Sequence, residues 1–198
     1  MSNESYDIVI VGGGAAGIAI ASSLLARASG LDIAVIEPAQ THYYQPGWTM
    51  VGAGVFTAPS TARPEASVMP SGVRWIKARV ATFDPQNNCV VLEDGSAIGY
   101  QQLVVCPGLK LNWAGIEGLE ETLGKNGVTS NYRYDLAPYT WELVQKLGSG
   151  KAIFTQPPMP IKCAGAPQKA LYLSCDTWKQ AGKLKDIQVQ FYNAGAVL

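Results

Sequence analysis

The feature that most constrains this chain is Gly12-x-Gly14-x-x-Gly17, set between a short β-branched run, Tyr6 to Val11, and an apolar segment, Ile18 to Ala28, that reads as a helix ending near Gly30. A second buried strand, Ile33 to Ile36, closes on Glu37, so the unit is βαβ. Each residue has a physical job. Gly12 permits the tight turn, Gly14 lets backbone approach a pyrophosphate, and Gly17 lets helix and strand pack closely. The N-terminus of the helix, with Ala15 and Ala16, offers N–H groups and a positive dipole end. Glu37, twenty positions after Gly17, can accept both ribose hydroxyls and would repel a 2′-phosphate, which disfavours NADP. The pattern reads as dinucleotide binding; the bland alternative is a glycine-rich turn.

Other classes are excluded by composition. With 15 Lys+Arg against 15 Asp+Glu, the chain carries no basic footprint for nucleic acid, and 47% hydrophobic residues support a sizeable core. Four cysteines without a CxxC pair and a single histidine, His42, are too few for a Cys/His zinc site, so no metal is expected. The opening residues Met1 to Asp7 are polar and run straight into a strand, so neither a signal nor a transit segment is expected. The apolar run Ile8 to Leu25 holds four glycines at a turn and is not read as a membrane span.

Beyond Pro38 the chain is loop-like to Ser71, with a short helix expected around Thr61 to Val68; so long a loop in a compact domain usually carries function. Val73 to Ile76 is a third parallel strand. Lys77 to Phe83, Cys89 to Leu92, Ala97 to Tyr100 and Leu103 to Cys106, separated by turn signals, read as a β-meander that feeds back into the sheet. Leu109 to Ser130 is irregular, and Tyr134 to Leu147 is helical. Ala152 to Thr155, Pro167 to Gly182 and Ile187 to Phe191 make a second βαβ unit, which a two-stranded sheet leaves unfinished. The fold class is therefore α/β: a Rossmann-like dinucleotide-binding βαβ with a β-meander (residues 1–108), which the resemblance below makes FAD-binding, then a partial second Rossmann-like unit (residues 109–198). The chain reads as the front part of a longer protein.

The meander ending in Cys106-Pro107-Gly108 resembles the two-dinucleotide-binding flavoproteins, in which such a strand makes a second approach to FAD. By that likeness the adenine lies beside Val80; the alternative is a hairpin insertion. Where the pyridine-nucleotide branch carries a second glycine fingerprint, this chain has FTQPPMPIKCAGAP from Phe154 to Pro167. Its prolines remove backbone donors, so NAD(P)H is not expected there. Cys163 instead precedes a helix, between Lys162 and Lys169, where dipole and charge favour a thiolate. It is a candidate redox nucleophile; the alternative is an inert buried cysteine. Cys89, Cys106 and Cys175 read as packing residues. His42 can bond a backbone carbonyl or relay protons. Tyr43, Tyr44 and Trp48 can pave a flavin or quinone surface, or simply pack the loop.

Taken with Glu37-Pro38, the segments HYYQPGWTMVGAG (His42 to Gly54), RPEASVMPSGVRWIKARV (Arg63 to Val80) and IKCAGAPQK (Ile161 to Lys169) resemble the sulfide:quinone oxidoreductases, mitochondrial and bacterial. The likeness implies an FAD enzyme peripheral to a quinone-containing membrane, on the bacterial cytoplasmic side. It oxidises hydrogen sulfide to sulfane sulfur, hands that sulfur to a small persulfide acceptor and passes two electrons to ubiquinone. It also implies flavin contacts at Gly12, Gly14, Ala15, Ala16, Glu37, Pro38, Gln45, Val80 and Gly108. By the same likeness Cys163 matches one of two redox cysteines, and the second is expected beyond Leu198. The number of associating subunits, and so a homo-oligomer, is left open. Two rival readings remain, a type II NADH:quinone reductase and a non-catalytic flavin-binding or sulfide-sensing module.

Overall fold

The computed structural model describes residues 4–195. Met1 to Asn3, part of the opening stretch discussed above, and the last three residues lie outside that range. The described residues divide into two compact units: the chain up to Tyr43 with Ala62–Leu111, and Tyr44–Thr61 with the chain from Asn112 onward.

In the first unit, strand β1 (Glu4–Val11) leads through the glycine turn into α1 (Ala15–Arg27), and β2 (Ile33–Ile36) runs parallel to β1 with Ile8 opposite Ile33 and Val11 opposite Ile36. Alternate residues face opposite ways, as a strand buried on both faces requires. Ile8, Ile10, Ile33 and Val35 pack with Ala21 of the helix, while Val9, Val11, Ala34 and Ile36 pack with Val90, Leu92, Ile98 and Tyr100. The helix starts at Ala15, earlier than the expected Ile18, because the good helix formers Ala15 and Ala16 continue directly from the turn, and the Ile18 amide already donates to the Gly14 carbonyl.

The segment after Pro38 is more ordered than its composition suggests. Strands β3 (Thr41–Tyr43) and β4 (Ala62–Pro64) form an antiparallel ladder, with α2 (Gly47–Gly52) of the second unit lying between them in sequence. The helix expected over Thr61 to Val68 does not form: Pro64 supplies no amide and pushes Arg63 out of the helical region, so this stretch extends before one 3₁₀ turn over Glu65–Ser67.

Strand β5 (Val73–Ile76) adds parallel to β2 as expected. The meander consists of β6 (Val80–Asp84), β7 (Cys89–Leu92) and β8 (Ala97–Val105). The two final strands expected from sequence are one, since β8 pairs antiparallel with β7 at its start and parallel with β1 along its length. The six-stranded order is β5-β2-β1-β8-β7-β6. The return strand thus delivers Cys106 to the glycine turn, where its amide donates to the Val11 carbonyl at 2.7 Å.

The second unit holds a short α3 (Leu119–Thr122), then α4 (Ala137–Lys146), β9 (Gly150–Gln156), α5 (Ala166–Gln180) and β10 (Ile187–Asn193), with β9 and β10 parallel. Helix α4 begins later than the expected Tyr134 because Pro138 is suited to a helix's first turn. Val144, Trp178 and Ile187 form the core, and the Trp178 indole N–H donates to the Val144 carbonyl at 2.8 Å. Among the described residues no helix is long and apolar enough to cross a membrane, and no group of three or more His, Cys, Asp or Glu residues is placed to hold a metal ion.

Candidate functional site

The turn from β1 to α1 is a cradle with a buried floor and an open rim. Gly12, Gly13 and Gly17 are buried, whereas Gly14, Ala15 and Ala16 are exposed. A Cβ on Gly12, whose φ is +104°, would lie 2.1 Å from the Cys106 carbonyl oxygen, and one on Gly17 would lie 1.9 Å from the Gly12 carbonyl oxygen. A Cβ on Gly14 meets nothing within 4 Å. The first-turn amides of α1 have no intrahelical acceptors, so an anion seated above Gly14 would receive their hydrogen bonds.

Glu37 ends β2 against this turn. Its Oε2 accepts the Gly13 amide at 2.8 Å and its Oε1 accepts the Ala39 amide at 2.7 Å. The carboxylate is therefore fixed by backbone donors, and each oxygen keeps a second lone pair for a ribose hydroxyl. Gly108 is exposed in the left-handed region with φ +76°, just past the point where β8 reaches the turn. Val80 opens β6 and packs on the meander-side core, and Pro38 is exposed beside Glu37. A pyrophosphate and a ribose fit these residues. Gln45 and Cys163 belong to the second unit.

Sequence reasoning missed Glu65. Its side chain is 2% exposed, its Oε2 lies 3.5 Å from Nδ1 of His42, and its Oε1 has no hydrogen-bond partner. That oxygen lies 3.1 Å from where a Gly13 Cβ would be, so Glu65 backs the turn from behind. His42 faces this carboxyl. The only signal was an acid directly after Pro64, ordinary in a loop. Burial, then the nearby Glu37 charge, push the Glu65 carboxyl above its usual range, with His42 opposing. A raised folded pKa means the native state binds the proton more tightly than the unfolded chain. Stability is then lost as pH rises from the ordinary carboxyl value through the raised one. We expect thermal unfolding of wild type to occur a few degrees lower at pH 7.5 than at pH 5, and Glu65→Gln, neutral and isosteric, to flatten that slope. An unchanged slope would show that Glu65 titrates normally.

In the second unit the loop over residues 157–165 replaces the compact glycine turn found in the first. Cys163 sits there, exposed, with φ +63°, and its carbonyl accepts the Ala166 amide at 2.9 Å. Its exposure removes the burial on which the alternative reading rested. Cys175 packs on the second unit's core, and burial pushes its thiol up. Trp48 is buried with Val51 and Ala137, edge-on to Tyr134 at 6.2 Å, so for it the packing alternative holds; Tyr43 and Tyr44 are exposed.

A glycine cradle flanked by a returning meander strand is the nucleotide-binding half of an oxidoreductase fold of the flavin-binding type. Residues 6–147 match the pyridine nucleotide-disulphide oxidoreductase family, and the chain belongs to it. It is 46% identical over 191 residues to the mitochondrial sulfide:quinone oxidoreductase of Dictyostelium discoideum, covering 96% of this chain and 42% of that protein. To the mitochondrial enzyme of the same name from Mus musculus it is 39% identical, covering 98% and 43%. The solved sulfide:quinone oxidoreductase of Aquifex aeolicus superposes with a TM-score of 0.79 at 26% identity, over 98% of this chain and 44% of that one. The chain thus spans less than half the length of these relatives.

Proposed function

We propose that this chain is the sulfide-handling front part of a sulfide:quinone oxidoreductase, with residues 1–108 holding FAD and residues 109–198 carrying the first redox cysteine. The observation that carries the reading is Cys163, exposed at the mouth of α5 in a loop that stands where a second nucleotide cradle would be. Gly12, Gly14, Ala15, Ala16 and Gly17 would hold the pyrophosphate, Glu37 the ribose, and Pro38, Gln45, Val80 and Gly108 further faces of the cofactor. Bound FAD would supply a two-electron acceptor.

The sulfur chemistry falls to the chain itself. Hydrosulfide attacks the bridge between Cys163 and a partner cysteine; one S–S bond forms and one breaks, leaving a persulfide and a thiolate. Transfer of the sulfane sulfur to a small acceptor and re-formation of the bridge release two electrons, and the quinone that finally takes them up binds two protons. Overall, hydrogen sulfide is oxidised to sulfane sulfur and the quinone is reduced to quinol. Peripheral attachment to a quinone-bearing membrane belongs to the same proposal. Its bacterial cytoplasmic side stays an expectation, since the curated relatives named above are mitochondrial.

The test is an absorption spectrum of the full-length protein before and after anaerobic sulfide. A flavin band near its usual visible position that bleaches with sulfide supports the reading. Bleaching by NADH but not by sulfide would favour the type II reductase instead, and sulfur loaded on Cys163 without bleaching would favour a sensing module.

A further inference from the structure

Residues 157–165 lie outside strand and helix, so whatever aims Cys163 must come from elsewhere. A cysteine at φ +63° is in a region that side chains other than glycine rarely adopt, and such a conformation persists only where its surroundings over-determine it. The surroundings here are specific. The Tyr132 hydroxyl donates to the Lys162 carbonyl at 2.7 Å and reaches the Cys163 carbonyl at 3.4 Å, while the Ala166 amide donates to that same Cys163 carbonyl. Tyr132 is itself tied down, its amide donating to the Ser130 hydroxyl at 3.1 Å.

Resting on the function proposed above, we propose that Tyr132 is the positioning residue for Cys163: its hydroxyl grips the two carbonyls that bracket the cysteine and so keeps the sulfur exposed and aimed for attack. Burial, and next the charge of Cys163, push the Tyr132 phenol above its ordinary value. It therefore stays protonated, and stays a donor, across the working range. Phenylalanine would keep the ring and remove only the grip.

The experiment compares wild type with Tyr132→Phe in the FAD-loaded, full-length protein. The saturated rate of anaerobic flavin bleaching by sulfide should fall roughly tenfold, the scale expected when a reacting atom is misaimed. The half-saturating sulfide concentration should move less than twofold. Reoxidation of the chemically reduced flavin by quinone, the FAD content and the thermal midpoint should all match wild type. Alkylation of Cys163 by iodoacetamide, carried out after a phosphine reductant has opened the bridge and read by mass spectrometry, should slow at least threefold. A wild-type bleaching rate together with wild-type alkylation overturns the proposal. So does a loss that tracks FAD content or thermal midpoint and affects both half-reactions equally, because that is a purely structural role. If sulfide fails to bleach even the wild-type flavin, the parent reading falls, and the alkylation comparison alone still decides whether Tyr132 positions Cys163.

Discussion

On the proposed function, Cys163→Ser in the intact, FAD-loaded protein should abolish sulfide-dependent quinone reduction, by roughly a thousandfold or more, while leaving FAD bound. A serine oxygen forms neither the bridge nor the persulfide, so no alternative group carries the first sulfur transfer. The flavin site should not notice the change: Cys163 is exposed, belongs to none of the packed clusters and lies outside residues 1–108. Serine, close to cysteine in size, meets the same φ of +63°, so the stability cost is that of the lost bridge and is absent when both proteins are compared reduced. The measurement is paired: stopped-flow bleaching of the flavin by sulfide, and flavin content by absorbance after denaturation. Lost bleaching with full flavin places the defect in sulfur chemistry. Near-normal turnover in the serine variant would remove Cys163 from the reaction.

The parts of the fold that could be read in advance are those with local causes. Strands β1 and β2 are continuous apolar runs because both faces are covered, and the glycine spacing between β1 and α1 has no cheaper explanation than a tight turn against a neighbouring strand. The parts that could not be read depend on partners distant in sequence. Gln101 and Gln102 look like a break, yet β8 runs through them because β1 pairs alongside. Trp48 looked like paving for a ligand as much as packing, and only the arrival of Ala137 from α4 decides for packing. Glu65 gave no warning at all, since an acid after a proline is ordinary in a loop and becomes buried only when the β3–β4 ladder carries it behind the glycine turn. Tyr132 is the same case: its place beside Cys163 follows from tertiary packing across thirty residues, which no periodicity announces.

The three glycines of the first turn should separate under alanine substitution, because the space around them differs. At Gly17 the new Cβ would sit 1.9 Å from the Gly12 carbonyl oxygen, and at Gly12 it would sit 2.1 Å from the Cys106 carbonyl oxygen at a positive φ. Both obstacles are backbone, so the helix must retreat from the strand or β8 from the turn. Either retreat costs about 3 kcal/mol, at the upper end for overpacking, and lowers the thermal midpoint by about 10 °C. At Gly14 nothing lies within 4 Å, and its backbone, with φ −68° and ψ −173°, suits alanine. Gly14→Ala should therefore fold with a wild-type midpoint, yet its methyl occupies the open rim above the first-turn amides, where a pyrophosphate would have to approach. Flavin retention should fall at least tenfold in Gly14→Ala with stability intact, and should fall together with stability in Gly12→Ala and Gly17→Ala. A Gly14→Ala protein that keeps its full flavin would mean that the cofactor's phosphates do not sit over this turn, and the assignment of residues 1–108 as the FAD-holding part would go with it.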